Sequence, residues 1–265
     1  MIKKKIIITG GLGYIGTELC KLYSGVSWNN QITVIDNRFI SERVNELKRR
    51  KIKFIQADIL DLDAIKFYIE KADIVYHLAG ITDVAYVKKE ADKEKDNLTV
   101  KVAIEGTSNI LSAMNANATI VFPSTHVVFE GLKEAKKDLD ENEKTNTFLA
   151  YSSSKVENEN QIIKSGKKYA IFRLGSVYGF STDTMRMNIM PNLFSKIASQ
   201  NGQIKLFGGG VQLKSLVPLI DVARCFKFVE EKDNFKNGIY NLSKENVTVK
   251  DVADICKKIN PKLEI

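Results

Sequence analysis

The segment Lys5-Ile6-Ile7-Ile8-Thr9 reads as a strand and runs directly into Gly10-Gly11-Leu12-Gly13-Tyr14-Ile15-Gly16, and the next apolar run, Ile32-Thr33-Val34-Ile35, closes on Asp36. Few patterns restrict a fold so much. Glycine lets the backbone turn tightly after a strand and approach a pyrophosphate, and a helix starting there offers unpaired N–H groups and the positive end of its dipole. An acid about twenty positions later, at the end of the second strand, is placed to accept hydrogen bonds from ribose hydroxyls and to repel a 2′-phosphate. The pattern therefore predicts a dinucleotide site that favours NAD over NADP, with Arg38 softening that preference without reversing it. The glycines fit two registers: Gly11, Gly13 and Gly16 form GxGxxG, whereas Gly10, Gly13 and Gly16 form GxxGxxG.

Composition adds bounds. A chain of 265 residues with 44% hydrophobic residues can bury one substantial core, or a core and a small lobe. No apolar run approaches the roughly twenty residues that cross a bilayer, and Met1-Ile2-Lys3-Lys4-Lys5 leads into a strand instead of a signal sequence, so no membrane partner and a cytoplasmic location are expected. Cys20, Cys225 and Cys256 lack the CxxC spacing of a zinc site, and no metal or disulfide framework is expected. The net charge of +8 comes mostly from scattered lysine without Arg-rich runs or interleaved aromatics, which reads as a solvated surface and not as a nucleic-acid interface.

After the second strand the sequence keeps alternating. Helices are expected near Ser41–Lys48, Leu62–Glu70, Asn97–Asn115 and Tyr151–Ser165, and strands at Ile52–Gln56, Asp73–Leu78, Thr119–Pro123 and Tyr169–Leu174. Strands interleaved with helices, several of them continuously apolar, describe an α/β fold: a Rossmann-type, doubly wound parallel sheet covered on both faces. From Gly175 the pattern loosens into helices near Pro191–Ser199, Ile220–Glu230 and Lys250–Lys258 and short strands around Ile204–Phe207, Leu213–Val217 and Gly238–Leu242. These pieces look too irregular to continue the sheet by themselves. The expected division is residues 1–174, binding NAD and carrying the catalytic groups, and residues 175–265, a smaller mixed substrate lobe over the C-terminal edge of the strands. The densely charged stretch Glu130–Asn146 reads as a solvated loop.

Tyr151-Ser152-Ser153-Ser154-Lys155 is a YxxxK, and an i, i+4 pair on a helix shares one face. In a lysine-rich chain with nine tyrosines one such spacing is expected by chance, and Tyr240…Lys244 is a second. Context favours Tyr151, which opens a long helical segment after the fifth strand, whereas Tyr240 ends a short strand.

Together these segments resemble the extended short-chain dehydrogenases/reductases of the NAD-dependent epimerase/dehydratase type. Thr9–Gly16 matches TGGxGxIG, Gln56–Asp61 resembles GDI/LxD, and His77-Leu78-Ala79-Gly80 matches HLAA/G. Pro123–Phe129 resembles SSxxVY, Arg173–Gly179 resembles RxxNVYG, Gly208–Val222 resembles GDGxQxRDFVYVDDV, and Gly238–Leu242 resembles GxxYNxG. These matches run in order over nearly the whole chain, and the last accounts for Tyr240 as part of a strand motif.

The resemblance implies a cofactor set of Gly10, Gly13, Tyr14, Ile15, Gly16, Asp36, Asn37, Asp58, Ile59, Leu78, Ala79, Gly80, Tyr151, Lys155 and Leu174. It implies Thr125, Tyr151 and Lys155 as catalytic residues, and Thr82, Thr125, His126, Ser176 and Lys214 as groups meeting the substrate. A tyrosine of reference pKa about 10 is a poor base at neutral pH, but a neighbouring ammonium and a positive nicotinamide favour its phenolate. It can then exchange a proton with a substrate hydroxyl while hydride moves to or from the same carbon. His77 reads as structural, and His126 as either facing substrate or capping a loop.

Departures from the family bear on the reaction. Related 4,6-dehydratases carry Asp-Glu after the catalytic threonine where this chain has His126-Val127, which disfavours dehydration. Lys214 stands in place of an arginine, Ser176 in place of the asparagine of RxxNVYG, and Ala103 in place of an asparagine three residues before Gly106-Thr107. The chain also ends at Ile265, earlier than the family's usual last segment. The reading that results is a nucleoside diphosphate sugar epimerase acting through C4, working as a homodimer through the helices at Asn97–Asn115 and Tyr151–Ser165. The alternatives are a keto-sugar nucleotide reductase, suggested by the STDYVFDG-like Ser124–Gly131, and a non-catalytic dinucleotide sensor or RNA-associated protein.

Overall fold

The computed structural model describes residues 3–24, 30–82, 93–132, 139–232 and 234–265. Its first part alternates as β1 (Lys5–Thr9), α1 (Tyr14–Ser24), β2 (Gln31–Asp36), α2 (Ser41–Arg49), β3 (Lys53–Gln56), α3 (Leu62–Ile69) and β4 (Ile74–His77). There follow α4 (Lys93–Ala113), β5 (Thr119–Thr125), α5 (Ala150–Lys164) and β6 (Lys168–Leu174). The remainder is β7 (Ser176–Tyr178), α6 (Met190–Ser199), β8 (Leu213–Pro218), α7 (Leu219–Glu231), β9 (Gly238–Leu242), β10 (Glu245–Thr248) and α8 (Val249–Ile259).

Seven strands form one sheet in the order β3-β2-β1-β4-β5-β6-β9, every adjacent pair parallel. Strand residues alternate between its faces. Ile6 and Ile8 of β1, with Val34 and Tyr76, pack against Leu19, Tyr23, Val44, Leu47 and Phe226 from α1, α2 and α7. Ile7, Ile35, Val75 and Ile120 face the other way, onto Ile65, Ile69, Ile110 and Ile162 of α3, α4 and α5. Both faces are thus dry, which is why these strands read as unbroken apolar runs. Strand order reverses between β1 and β4, and ligands of open α/β sheets bind at the carboxyl ends beside such a switch.

The smaller sheet is mixed, β10-β8-β7, with β8 antiparallel to β10 and parallel to β7. It packs with α6 and α8 around Phe194, Ile204, Leu216, Val252 and Cys256. Here the structure corrects the sequence reading. Gly238–Leu242 does continue the large sheet, pairing in parallel with Ala170–Leu174, and α7 packs beside α1 on one face of that sheet. The chain after residue 175 therefore builds the small layer and returns to close the large one. Ile204–Phe207 is not a strand: Gln203 makes a single bridge to Glu264, and a short 3-10 turn follows at Phe207–Gly210.

Glu130–Asn146, read as a solvated loop, includes residues 133–138, which lie outside the described residues. Its described ends hold structure. Glu130 Oε1 accepts from the backbone N–H of Phe148 at 3.0 Å and of Leu149 at 2.9 Å, and from the Ser152 hydroxyl. The carboxylate therefore caps α5, whose own N-cap residue Leu149 has no side-chain oxygen to offer.

Candidate active site

At the carboxyl edge of the large sheet a cavity of about 630 Å³ runs from the glycine loop to the start of β7. Its first half is built by backbone. Gly10 has φ +66°, and a Cβ there would lie 2.7 Å from Ala79 N; at Gly16 a Cβ would lie 2.6 Å from Gly11 Cα. Side chains are excluded where the loop passes β4 and where α1 begins. Gly10, Gly13 and Gly16 line the cavity while the Cβ of a residue at 11 would meet the Val34 side chain instead, so the GxxGxxG register is the one that faces a ligand. α1 opens at Tyr14 with its first N–H groups at this wall.

Asp36 ends β2, buried beneath the loop. Its Oδ2 accepts from Leu12 N at 3.1 Å, and its Oδ1 accepts from Arg38 N and Arg38 Nε, each at 3.1 Å. The Nε–Nη2 edge of Arg38 is thereby taken up by the acid. Asp58 accepts from Leu60 N at 2.9 Å and from Asn37 Nδ2 at 3.0 Å, joining the ends of β2 and β3. Together the tight glycine turn, the exposed helix start and a carboxylate at the end of β2 fit the pyrophosphate and ribose of NAD.

The second half of the cavity carries titratable groups. β5 extends two residues beyond the strand expected from sequence and ends on Thr125, whose Oγ1 accepts from Val127 N at 3.2 Å. Tyr151 and Lys155, one turn apart on α5, both line the cavity. Lys155 Nζ donates to the Pro123 carbonyl at 2.8 Å and stands 5.9 Å from the centre of the Tyr151 ring. Burial lowers the Lys155 ammonium to about 8, opposed by the charge of Glu159. Glu159 itself is paired with Arg173 of β6 at 2.8 Å, both side chains buried, and accepts from the Ser124 hydroxyl at 2.5 Å. That clamp ties α5 to β5 and β6 and fixes the spacing of Thr125, Tyr151 and Lys155.

The remaining sequence candidates divide. Tyr14, Ile15, Asn37, Asp58, Ile59, Leu78, Ala79, Gly80, Thr82, His126, Leu174 and Ser176 all line this cavity. Lys214 does not; it lies on β8, near enough for its charge to act on His126. Tyr240 is also off the cavity, donating its hydroxyl to Lys236 O at 2.6 Å. His77 is buried at the end of β4 with Nδ1 2.9 Å from Thr9 Oγ1 and Nε2 3.0 Å from Thr107 Oγ1, a structural part. His126 Nδ1 lies 2.9 Å from the Leu174 carbonyl oxygen.

Sequence reasoning missed the segment after β7. Asp183, Thr184, Met185 and Arg186 line the cavity beside the glycine loop. Arg43 of α2 donates Nη1 to Leu12 O at 2.7 Å and Nε to Asp183 Oδ2 at 2.5 Å, the Tyr14 hydroxyl donates to Gly179 O, and Thr17 meets Thr184 at 3.2 Å. One signal was available: arginine is scarce in this lysine-rich chain, yet Arg38, Arg43 and Arg186 all reach the cavity, where a planar fork suits directed bonds.

Comparison with known proteins agrees with this geometry. The sequence model of the NAD dependent epimerase/dehydratase family matches residues 6–243. A UDP-N-acetyl-alpha-D-glucosaminuronate decarboxylase of Bacillus cytotoxicus is 26% identical over 95% of this chain and 79% of its own length. A putative UDP-glucose 4-epimerase of Methanocaldococcus jannaschii is 28% identical over 95% of this chain and 81% of its own. Among solved structures, the UDP-N-acetylglucosamine 4-epimerase of Methanobrevibacter ruminantium superposes with a TM-score of 0.83 at 22% identity, covering 98% of this chain and 83% of that one.

Proposed function

Since the chain belongs to the NAD-dependent epimerase/dehydratase family, we propose that it epimerises a nucleoside diphosphate sugar by transient oxidation at C4. The observation that carries the proposal is the continuity of one cavity from the glycine loop and Asp36 to Thr125, Tyr151 and Lys155. Bound NAD supplies a hydride acceptor that can return the same hydride. The protein's own residues handle the proton and the geometry. Tyr151, as phenolate, takes the hydroxyl proton from the carbon being oxidised and gives it back when that carbon is reduced on its other face. The Lys155 ammonium favours the phenolate, and Thr125, with a lone pair already engaged by Val127 N, keeps its hydroxyl proton for the substrate oxygen. Gly10, Gly13, Gly16, Tyr14 and Ile15 would take the pyrophosphate, Asp36, Asn37, Asp58 and Ile59 the adenosine, and Leu78, Ala79, Gly80 and Leu174 the nicotinamide half. Thr82, His126 and Ser176 form the substrate end, with Lys214 meeting the diphosphate from the rim.

Calorimetry with UDP-, dTDP-, GDP- and CDP-sugars, followed by analysis of the product's stereochemistry, tests this reading. Binding of at least one and conversion to its C4 epimer without added cofactor are expected. Binding of none removes the sugar-nucleotide reading, and turnover only with added NADH or NADPH would make the enzyme a keto-sugar reductase. Lys214→Ala should raise KM more than it lowers kcat, because a phosphate contact far from the reacting carbon is uniform binding energy. Pairing of two chains through α4 and α5, where Leu98, Val100 and Ile163 are exposed, is proposed as well; sedimentation as a monomer at micromolar concentration would exclude it.

A further inference from the structure

The proton chemistry above leaves one cavity group unused. His126 follows Thr125 directly and lines the cavity, with its Nδ1 2.9 Å from the Leu174 carbonyl oxygen. A carbonyl oxygen only accepts, so Nδ1 carries the proton and donates it. In a neutral ring Nε2 is then an acceptor with no proton of its own. Burial holds the ring neutral, opposed by the Leu174 carbonyl and reinforced by the charge of Lys214. Among the described residues no protein group bonds Nε2.

The polarity of that atom decides what it can meet. The carbon oxidised in the reaction becomes a carbonyl, whose oxygen accepts only, and Thr125 and Tyr151 are the donors for it. An acceptor at Nε2 has nothing to offer that oxygen and would repel it. A hydroxyl on a neighbouring sugar carbon remains a donor throughout the reaction.

We propose that His126 Nε2 accepts a hydrogen bond from a sugar hydroxyl next to the reacting carbon, so that the site selects hexoses with a free hydroxyl there over those that are deoxygenated or acylated at it. This inference rests on the sugar-nucleotide reading and assigns a specificity contact within it. The Leu174 bond fixes the tautomer, and β5 and β6 fix the ring, so the acceptor is set before substrate arrives. A site built to take up a hydroxyl leaves a polar atom unpaired when the hydroxyl is missing, which is how such pockets reject analogues.

Two substitutions separate this role from a structural one. In His126→Asn the side-chain amide can still donate to the Leu174 carbonyl but places nothing where Nε2 stood, whereas in His126→Gln a carbonyl acceptor can reach that place. The measurement is calorimetry of the NAD-loaded enzyme with UDP-glucose, or with whichever of dTDP-glucose and GDP-mannose the wild type binds tighter, and with the 3-deoxy and 6-deoxy analogues of that sugar. His126→Asn should weaken binding of the full sugar about tenfold, and His126→Gln should recover part of the loss. The penalty should vanish for the 3-deoxy analogue, because the wild type has already lost the contact there, and persist for the 6-deoxy analogue, whose missing hydroxyl is not on a carbon next to C4. Equal weakening of all three sugars, or unchanged affinity for the full sugar in a variant that still binds NAD, would overturn the assignment. If the wild type binds none of these nucleotide sugars, the function reading itself fails; if it binds them and the variants show no such coupling, only the role of His126 fails.

Discussion

Two tyrosines share a spacing with lysine, and their surroundings give them different work. Tyr151 faces the cavity beside a buried ammonium, while Tyr240 packs its ring on Phe172 and Phe235 and spends its hydroxyl on Lys236 O. Tyr151→Phe should keep NAD binding and cut kcat by about two to four orders of magnitude through loss of general acid–base catalysis. Tyr240→Phe should leave kcat unchanged; the reverse outcome in steady-state kinetics would move the acid–base role from Tyr151 to Tyr240. The buried His77 carries a different consequence. Burial, with the charge of Lys155 adding to it, pushes its pKa down to about 3, against about 6.5 in an unfolded chain. The unfolded chain thus binds a proton between those values that the folded chain refuses. Stability present above pH ~6.5 should therefore fall as pH drops toward 3, by at most about 1.4 kcal/mol per pH unit from this residue. His77→Gln should flatten urea-unfolding stability over that window relative to wild type, and parallel pH profiles would contradict the assignment.

At the scale of the element, α5 shows how a catalytic helix is held from outside itself. Its N-terminal N–H groups are met by Glu130, twenty or so residues upstream in the chain, and its middle by the buried Glu159–Arg173 pair. Glu130→Ala should cost about 1–2 kcal/mol of stability, the scale of a lost cap, and lower kcat by loosening the turn that carries Tyr151. Thermal unfolding together with kcat would show it, and an unaffected melting temperature would mean that the cap contributes nothing. Elements long enough to show a period were legible in the sequence: α1 to α5 and β1 to β6 lie within a few residues of expectation. β7, of three residues, is too short to display one, and β10, Glu245-Asn246-Val247-Thr248, lacks the apolar run that marks β4. β9 is a half-exposed edge strand whose partner lies more than sixty residues earlier, so nothing local marks it as part of the large sheet.

Across the whole molecule, the cavity exists because the chain after β7 folds back over the glycine loop. Arg43 to Asp183, Tyr14 to Gly179 and Thr17 to Thr184 stitch that segment to α1 and α2. Asp183→Ala should speed NAD release about two- to fivefold, as expected for a partly exposed ion pair worth up to ~1 kcal/mol. Stopped-flow displacement of the cofactor checks this, and an unchanged release rate would mean that the segment is held by its other bonds alone.

What the chain's sequence determined by itself is what local chemistry dictates. A glycine-lined turn between a strand and a helix, an acid closing the next strand and a phenol one helical turn from an ammonium carry their meaning in residue type and spacing, because backbone freedom, helix dipoles and the i, i+4 relation act over a few residues. The tertiary structure alone decided which of two glycine registers faces the cavity. It also decided that Lys214 acts on His126 from outside the lining, that one edge of Arg38 is taken up by Asp36, and that β9 completes the large sheet. Each of these depends on partners brought together by burying two apolar sheet faces, and burial rewards area without regard to distance along the chain.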